Sequence, residues 1–292
     1  MTLTKPIIAL PGPGGNPLNH RRAFSLVEVL IAVTLMSIIV LGLMAMFGQT
    51  QRAFRMGITQ VDVMESGRAA LEMMAREIEQ ANAADLSGSI NFYVGPDVGV
   101  PNPYVLLQQL PGSNEERTNI LQNILFTTRE GQEWTGIGYA VLHTNYIGTL
   151  YRFETNASHI ESDKVAALSQ QAFFARSSRV IDGVVHLRVR AYDSLGQLLS
   201  PDYTFKTLPL HQVDLKWGGR ADDIWCSFKS NALPAYVEIE LGILEAKTAE
   251  RARAIGEGSL GAQYNFLTKQ VGHVQVFRQR VPIRNVDPSV YQ

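Results

Sequence analysis

Residues 24–47, FSLVEVLIAVTLMSIIVLGLMAMF, form an unbroken apolar run whose only charge is Glu28. As an α-helix the run spans about 36 Å at ~1.5 Å per residue, against a hydrocarbon core of roughly 30 Å, so it is long enough to cross a bilayer. Arg21 and Arg22 stand directly before it, and the segment ahead of Phe24 adds Lys5 and no acid. That asymmetry predicts a cytoplasmic N-terminus with the bulk of the chain outside the cytoplasm. The competing readings are a cleaved export signal and a buried core helix. Arg21-Arg22-Ala23-Phe24 has the look of a twin-arginine signal, yet no convincing small-x-small cleavage site follows Met46. A lipoprotein signal needs a cysteine just after the run, and the single cysteine is Cys226. Both export signals leave Glu28 without a role.

Beyond Phe47 the sequence turns amphipathic without a break. Phe54, Ile58, Val61, Met64, Leu71, Met74, Ile78 and Ala81 recur at three- and four-residue steps, the spacing of one helical stripe expected to pack under the rest of the chain. Glu72 and Arg76 are spaced for an i,i+4 ion pair. No proline occurs from 24 to 84, which allows one helix about 90 Å long. Gly42, Gly48, Gly57 and Gly67 are its weak points, where it could bend or unwind. A two-stranded coiled coil is the alternative for this stretch, with its heptads interrupted near Gly67.

The remainder reads differently. Residues 91–111 are rich in Pro, Gly and Asn, the composition of an irregular connection. Val185, Leu187, Val189 and Ala191 then alternate with His186, Arg188 and Arg190. Val213, Leu215 and Trp217 alternate with polar residues, as do Val237, Ile239, Leu241 and Ile243 with Glu238 and Glu240. Each is a strand with one buried face. Residues 136–143, 148–154 and 274–283 are further strand candidates. If the Arg188 and Glu238 strands are neighbours, their exposed faces offer opposite-charge pairs. A helical composition is clear only over 245–255, with Gly256 as its stop. The fold class predicted is α+β: a leader over 1–23, a membrane helix over 24–47, an amphipathic continuation over 48–84, and a β-rich antiparallel head over 85–292.

Glu28 makes the anchor specific. A carboxylate near the centre of a spanning helix costs about 2.5–3.5 kcal/mol, less toward the edge, and usually marks function. Ala23, Phe24, Ser25, Leu26, Val27 and Glu28 resemble the type IV prepilin motif: a small residue, Phe, a small polar residue, two aliphatics and Glu. That resemblance implies cleavage between Ala23 and Phe24 by a membrane-embedded prepilin peptidase and N-methylation of Phe24. It implies pairing of the Phe24 amine with Glu28 of a neighbouring subunit as helices stack in register. Alanine stands at position 23, where the family usually has glycine. The head segment VIDGVVHLRVRAYDSLGQ, then Trp217 and Trp225, then ALPAYVEIELGIL, resembles the J-type minor pseudopilin of type II secretion. The prepilin-like proteins called Verru_Chthon cassette protein C are similar in the same way. The partners implied are the peptidase, other pilins or pseudopilins of one filament, and an inner-membrane assembly platform. The location implied is the bacterial inner membrane, single-pass with the head in the periplasm, and then the filament or its tip.

Composition bounds the remaining classes. A charged fraction of 18% with 46% hydrophobic residues argues against disorder, and a net charge of -1 gives no global pull toward nucleic acid, so none is expected as a partner. Cys226 alone forms no intrachain disulfide, and neither a metal nor another cofactor is expected. Gly256-Glu257-Gly258-Ser259-Leu260-Gly261 matches G-x-G-x-x-G, but after a helix and without a clear helix to follow, against nucleotide binding. Asp222-Asp223 falls short of a calcium loop. The histidines His143, His159, His186, His211 and His273 are scattered, and Trp134, Trp217 and Trp225 are expected as core or turn anchors. The chain is not expected to be an enzyme. A structural filament subunit and a membrane-anchored binding protein or adhesin are the two functional classes that remain.

Overall fold

The computed structural model describes residues 25–84, 86–96, 105–110, 112, 114–143, 145–156, 177–203, 212–219 and 223–291. The chain divides into two compact units, the first ending at Arg55 and the second covering Met56–Gln292. Helix α1 (Leu26–Ile78) contributes to both. It contains no proline, and it closes short of the expected position 84. Residues 79–80 form a turn, and Ala81 bridges to Thr128.

In the second unit α1 buries Val63, Ala70, Leu71, Met74, Ala75 and Ile78. These residues recur at three- and four-residue steps and form one face. The expected stripe is therefore only half right. Leu71, Met74 and Ile78 lie on the buried face, whereas Phe54, Ile58, Val61 and Met64 are exposed. At about 100° per residue Ile58 falls outside the buried face, whereas Met64 falls in line with Leu71 and Ala75, so one apolar stripe drifts round the helix and only its later part is covered. Gly67 is no break. It lets the Phe277 ring and Ile243 approach the helix: a Cβ there would overlap the ring and lie 2.9 Å from Ile243 Cδ1.

Among the described residues the head is a nine-stranded antiparallel sheet with a separate two-stranded ribbon. Its strands in chain order are β1 (Leu86–Gly95), β2 (Leu106–Gln109), β3 (Glu116–Asn119), β4 (Asn123–Glu130), β5 (Glu133–His143) and β6 (Gly148–Asn156), followed by β7 (Ser177–Tyr192), β8 (Val213–Trp217), β9 (Ile224–Ser230), β10 (Tyr236–Leu244) and β11 (Val274–Pro282). The large sheet runs β11-β10-β7-β6-β5-β4-β1-β9-β8, and β2 pairs with β3. Leu187, Val189, Val237, Ile239 and Leu241 on its inner face share one core with Met74 and Ile78 of α1 and with Phe92, Phe126 and Phe228. Burying a side chain of that size stabilises the fold by about 1.5–3 kcal/mol. Glu77 fastens the last turn of α1 to the sheet: it accepts from Arg152 Nε at 2.9 Å and from the Tyr139 hydroxyl.

Several local expectations change. The stretch 91–111 contains strand residues of β1 and all of β2; positions 97–104 lie outside the described residues. Val185 leaves the face of Leu187 and Val189 and packs with Leu106, Ile147 and Leu244 in a second cluster. The cause is a bulge: Gly183 has φ +75°, and the β7–β10 register shifts between Gly242 and Ile243, which moves the alternation by one residue. Gly256 does not stop the helix. Helix α2 (Ala246–Gly258) runs through it, and α3 (Leu260–Leu267) follows, N-capped by the Ser259 hydroxyl. The G-x-G-x-x-G string thus joins two helices, with Gly256 leaving room for the buried Gln263 side chain.

Candidate functional site: the start of helix α1

Ser25 precedes the helix, and its hydroxyl accepts the backbone N–H of Glu28 at 3.2 Å. In return the Glu28 carboxylate accepts the Ser25 N–H at 3.0 Å. This reciprocal pair is a capping box, which satisfies two of the N–H groups that every helix start leaves unpaired. The carboxylate also sits in the first turn, where the helix dipole favours negative charge. Glu28 therefore has a role within its own chain, and one N–H does not exhaust the acceptor capacity of a carboxylate. The S-x-x-E spacing just before an apolar run is the sequence signal for this cap, a signal separate from the prepilin-like motif that shares its residues.

Every Leu, Ile, Val, Met and Phe from 26 to 47 is exposed. The helix is long and apolar enough to cross a membrane, by length and composition. Its few hydroxyls turn inward to the backbone: Thr34 donates to the Ile31 carbonyl at 2.8 Å and Ser37 to the Val33 carbonyl at 2.8 Å. Bonding of this kind removes most of the cost of placing a hydroxyl in hydrocarbon. Ala23, Phe24, Arg21 and Arg22 lie outside the described residues, so of the residues singled out for cleavage and assembly only Glu28 is described.

In the head, titratable groups form closed networks. Arg188 and Arg278 both donate to Glu240, which is only 3% exposed, and His186 Nε2 lies 3.6 Å from the same carboxylate. The Ile120 N–H donates to His186 Nδ1, which assigns the neutral ring's proton to Nε2. Burial alone would raise the Glu240 carboxyl; His186, Arg188 and Arg278 outweigh it and hold the group well below the usual carboxylate range. Burial pushes His186 down, against the pull of Glu240. The β7 and β10 strands are neighbours as expected, with Arg190 3.3 Å from Glu238, but the Glu240 pair is buried rather than exposed. A second pair joins Arg253 to Asp182, which also accepts from Thr149 at 2.6 Å. Burial pushes the Cys226 thiol up to about 12, so it stays protonated in the core. Asp223 is raised by burial and accepts from Gln122 at 2.8 Å, while Asp222 lies outside the described residues. Trp217 is exposed at the end of β8 and anchors no core.

Residues 18–44 match the family described as the prokaryotic N-terminal methylation motif. The match spans the segment before the helix, Ser25, Glu28 and most of the apolar run, and it supports a pilin-like N-terminus of the kind that prepilin peptidase processes. No curated protein matches the chain.

Proposed function

We propose that this chain is a minor pilin- or pseudopilin-like structural subunit, cut between Ala23 and Phe24 and assembled into a filament or filament tip through α1. One observation carries the reading: the methylation motif over residues 18–44 runs into a helix whose apolar side chains from Leu26 to Phe47 are exposed among the described residues. Subunits that assemble through this helix must cover those side chains, in lipid before assembly and against other helices afterwards. The exposed apolar residues Ile58, Val61 and Met64 extend the same need beyond the membrane run. The head, a broad sheet of nine strands, suits a minor position better than a closely packed major one. A single span with the N-terminus cytoplasmic and the head periplasmic follows from Arg21 and Arg22.

In this reading Glu28 changes partner. Before assembly its carboxylate caps its own helix. In the filament it neutralises the cationic amine of Phe24 on an adjacent subunit, because a charge left unpaired in a low-dielectric bundle is costly. Glu28→Ala is expected to leave cleavage intact and to reduce recovery in filaments or in complexes with other pilins. Glu28→Gln keeps the capping acceptor without the charge, so it separates the two roles. If Glu28→Gln assembles normally, the cap and not the charge pair is what matters.

A further inference from the structure

Strand β11 is one edge of the large sheet. It pairs with β10 along its whole length, from Tyr236↔Pro282 to Leu244↔Val274, and among the described residues no other strand pairs with it. Every second residue of such an edge turns its N–H and C=O outward, which makes it a template for another strand.

The face of the sheet opposite α1 adds a second, independent feature. Across β7, β10 and β11 the register aligns Arg190, Glu238 and Arg280 in one row and Arg188, Glu240 and Arg278 in the next. Charge alternates strand by strand: positive, negative, positive. Each glutamate has an arginine on both sides, whereas the β11 arginines have a glutamate on one side only. The Arg280 guanidinium lies over two neighbouring rings, 4.3 Å from the Tyr192 centroid and 4.9 Å from that of Tyr236. The Arg278 side chain is 59% exposed, although it donates to Glu240. Val276, two residues before Arg278 on the same face, is 41% exposed.

We propose that β11 is a docking edge for an extended acidic segment of another protein, which adds as a further strand with carboxylates at alternate positions. The backbone supplies the hydrogen bonds, and the ladder supplies the choice of sequence. An acid-x-acid segment continues the alternation by facing Arg278 and Arg280. A second copy of β11 is disfavoured, since antiparallel self-pairing about Gln279 sets Arg278 opposite Arg280 and like charges directly opposite destabilise a pair. The proposal stands on the head alone and does not depend on the filament role.

The test uses the full-length protein in detergent micelles and two short labelled peptides. One alternates Glu with Val and Thr; the other has Lys in place of each Glu. The acidic peptide is expected to bind roughly tenfold more tightly than the basic one, as two attractive cross-strand pairs replace two repulsive ones. The preference should fade as salt is raised. Amide hydrogen exchange should slow along 274–282 and nowhere else. In the Arg278→Gln, Arg280→Gln double variant, where glutamine keeps a donor for Glu240, the preference should vanish while tryptophan emission stays native. Equal binding of both peptides, or protection away from β11, overturns the proposal. So does equal binding of a DNA oligonucleotide without protection of β11, which would make the arginines a general anion surface.

Discussion

The two parts of α1 obey the same helical geometry and solve opposite problems. From 26 to 47 every large apolar side chain is exposed, and the polar groups that remain are satisfied by the helix itself. From 63 to 78 one face is buried under the sheet, and Glu77 ties the final turn to Tyr139 and Arg152. Glycine shows the difference most plainly. Nothing lies within 4 Å of a Cβ placed at Gly42, Gly48 or Gly57, whereas Gly67 is closed in by Phe277 and Ile243. The first part leaves its apolar side chains uncovered among the described residues, and the second uses them to complete a core. Apolar side chains serve both tasks, and only their neighbours tell the two apart.

Substitutions at matched positions test that division. Met74 is wholly buried, so Met74→Ala should destabilise the head by about 2–5 kcal/mol, read as a lower denaturation midpoint of tryptophan emission. Trp134, Trp217 and Trp225 all lie in the second unit, so that signal reports the head alone. Leu43→Ala, in the exposed part, should leave the midpoint unchanged. A similar loss from both would mean that the two parts are not energetically separate.

Acid should separate them next. The Glu240 carboxyl is depressed from its ordinary 4.5, so its stabilisation is present above that value and is lost as pH falls toward the depressed one. His186 is depressed from 6.5, so below that pH the unfolded chain takes up a proton that the folded one refuses. Both effects have the same sign. Head stability should decline as pH falls below 6.5 and again below 4.5, the cluster being faced by Arg117, Arg188 and Arg278. The helical circular dichroism of the apolar run in micelles should persist where the tryptophan transition has already occurred. A head as stable at pH 4 as at pH 7 would remove this cluster from the account.

The smallest effects should have opposite signs. Gly67→Ala forces the Phe277 ring aside and should cost about 1–3 kcal/mol. Gly57→Ala, with open space around it, should gain up to about 1 kcal/mol from helix propensity. If both substitutions stabilise, Gly67 is not a point of close approach.

What the sequence made legible follows from how cleanly each segment shows one period. Strands β7 and β10 put apolar and charged side chains on opposite faces, so their alternation is visible, and so is the charge pairing between them; β8 alternates too, but none of its side chains is buried. Strand β4 is buried on both sides from Asn123 to Thr127 and shows no alternation. Strands β2 and β3 place Gln108 and Asn119 in the interior, where the Asn119 amide donates to Gln108 and to the Leu106 carbonyl and the Gln108 amide donates to the Leu267 carbonyl. Polar residues buried in this way read as loop until their partners are known. Asn91 in β1 is another such case, with its amide donating to Ser230 and Ala232 carbonyls far along the chain. The apolar positions of α1 read as a single drifting stripe, and spacing alone does not show that its burial begins only near Val63. At the start of α1 the place of Glu28 is legible from the motif alone, while its capping bond to Ser25 needs the helix boundary.

The most direct test of the proposed function is the intact mass and N-terminal sequence of the protein extracted from its native membranes. The account predicts a chain that begins at Phe24 and carries one added methyl group. A chain that begins at Met1, or one cut after Phe47, would contradict it.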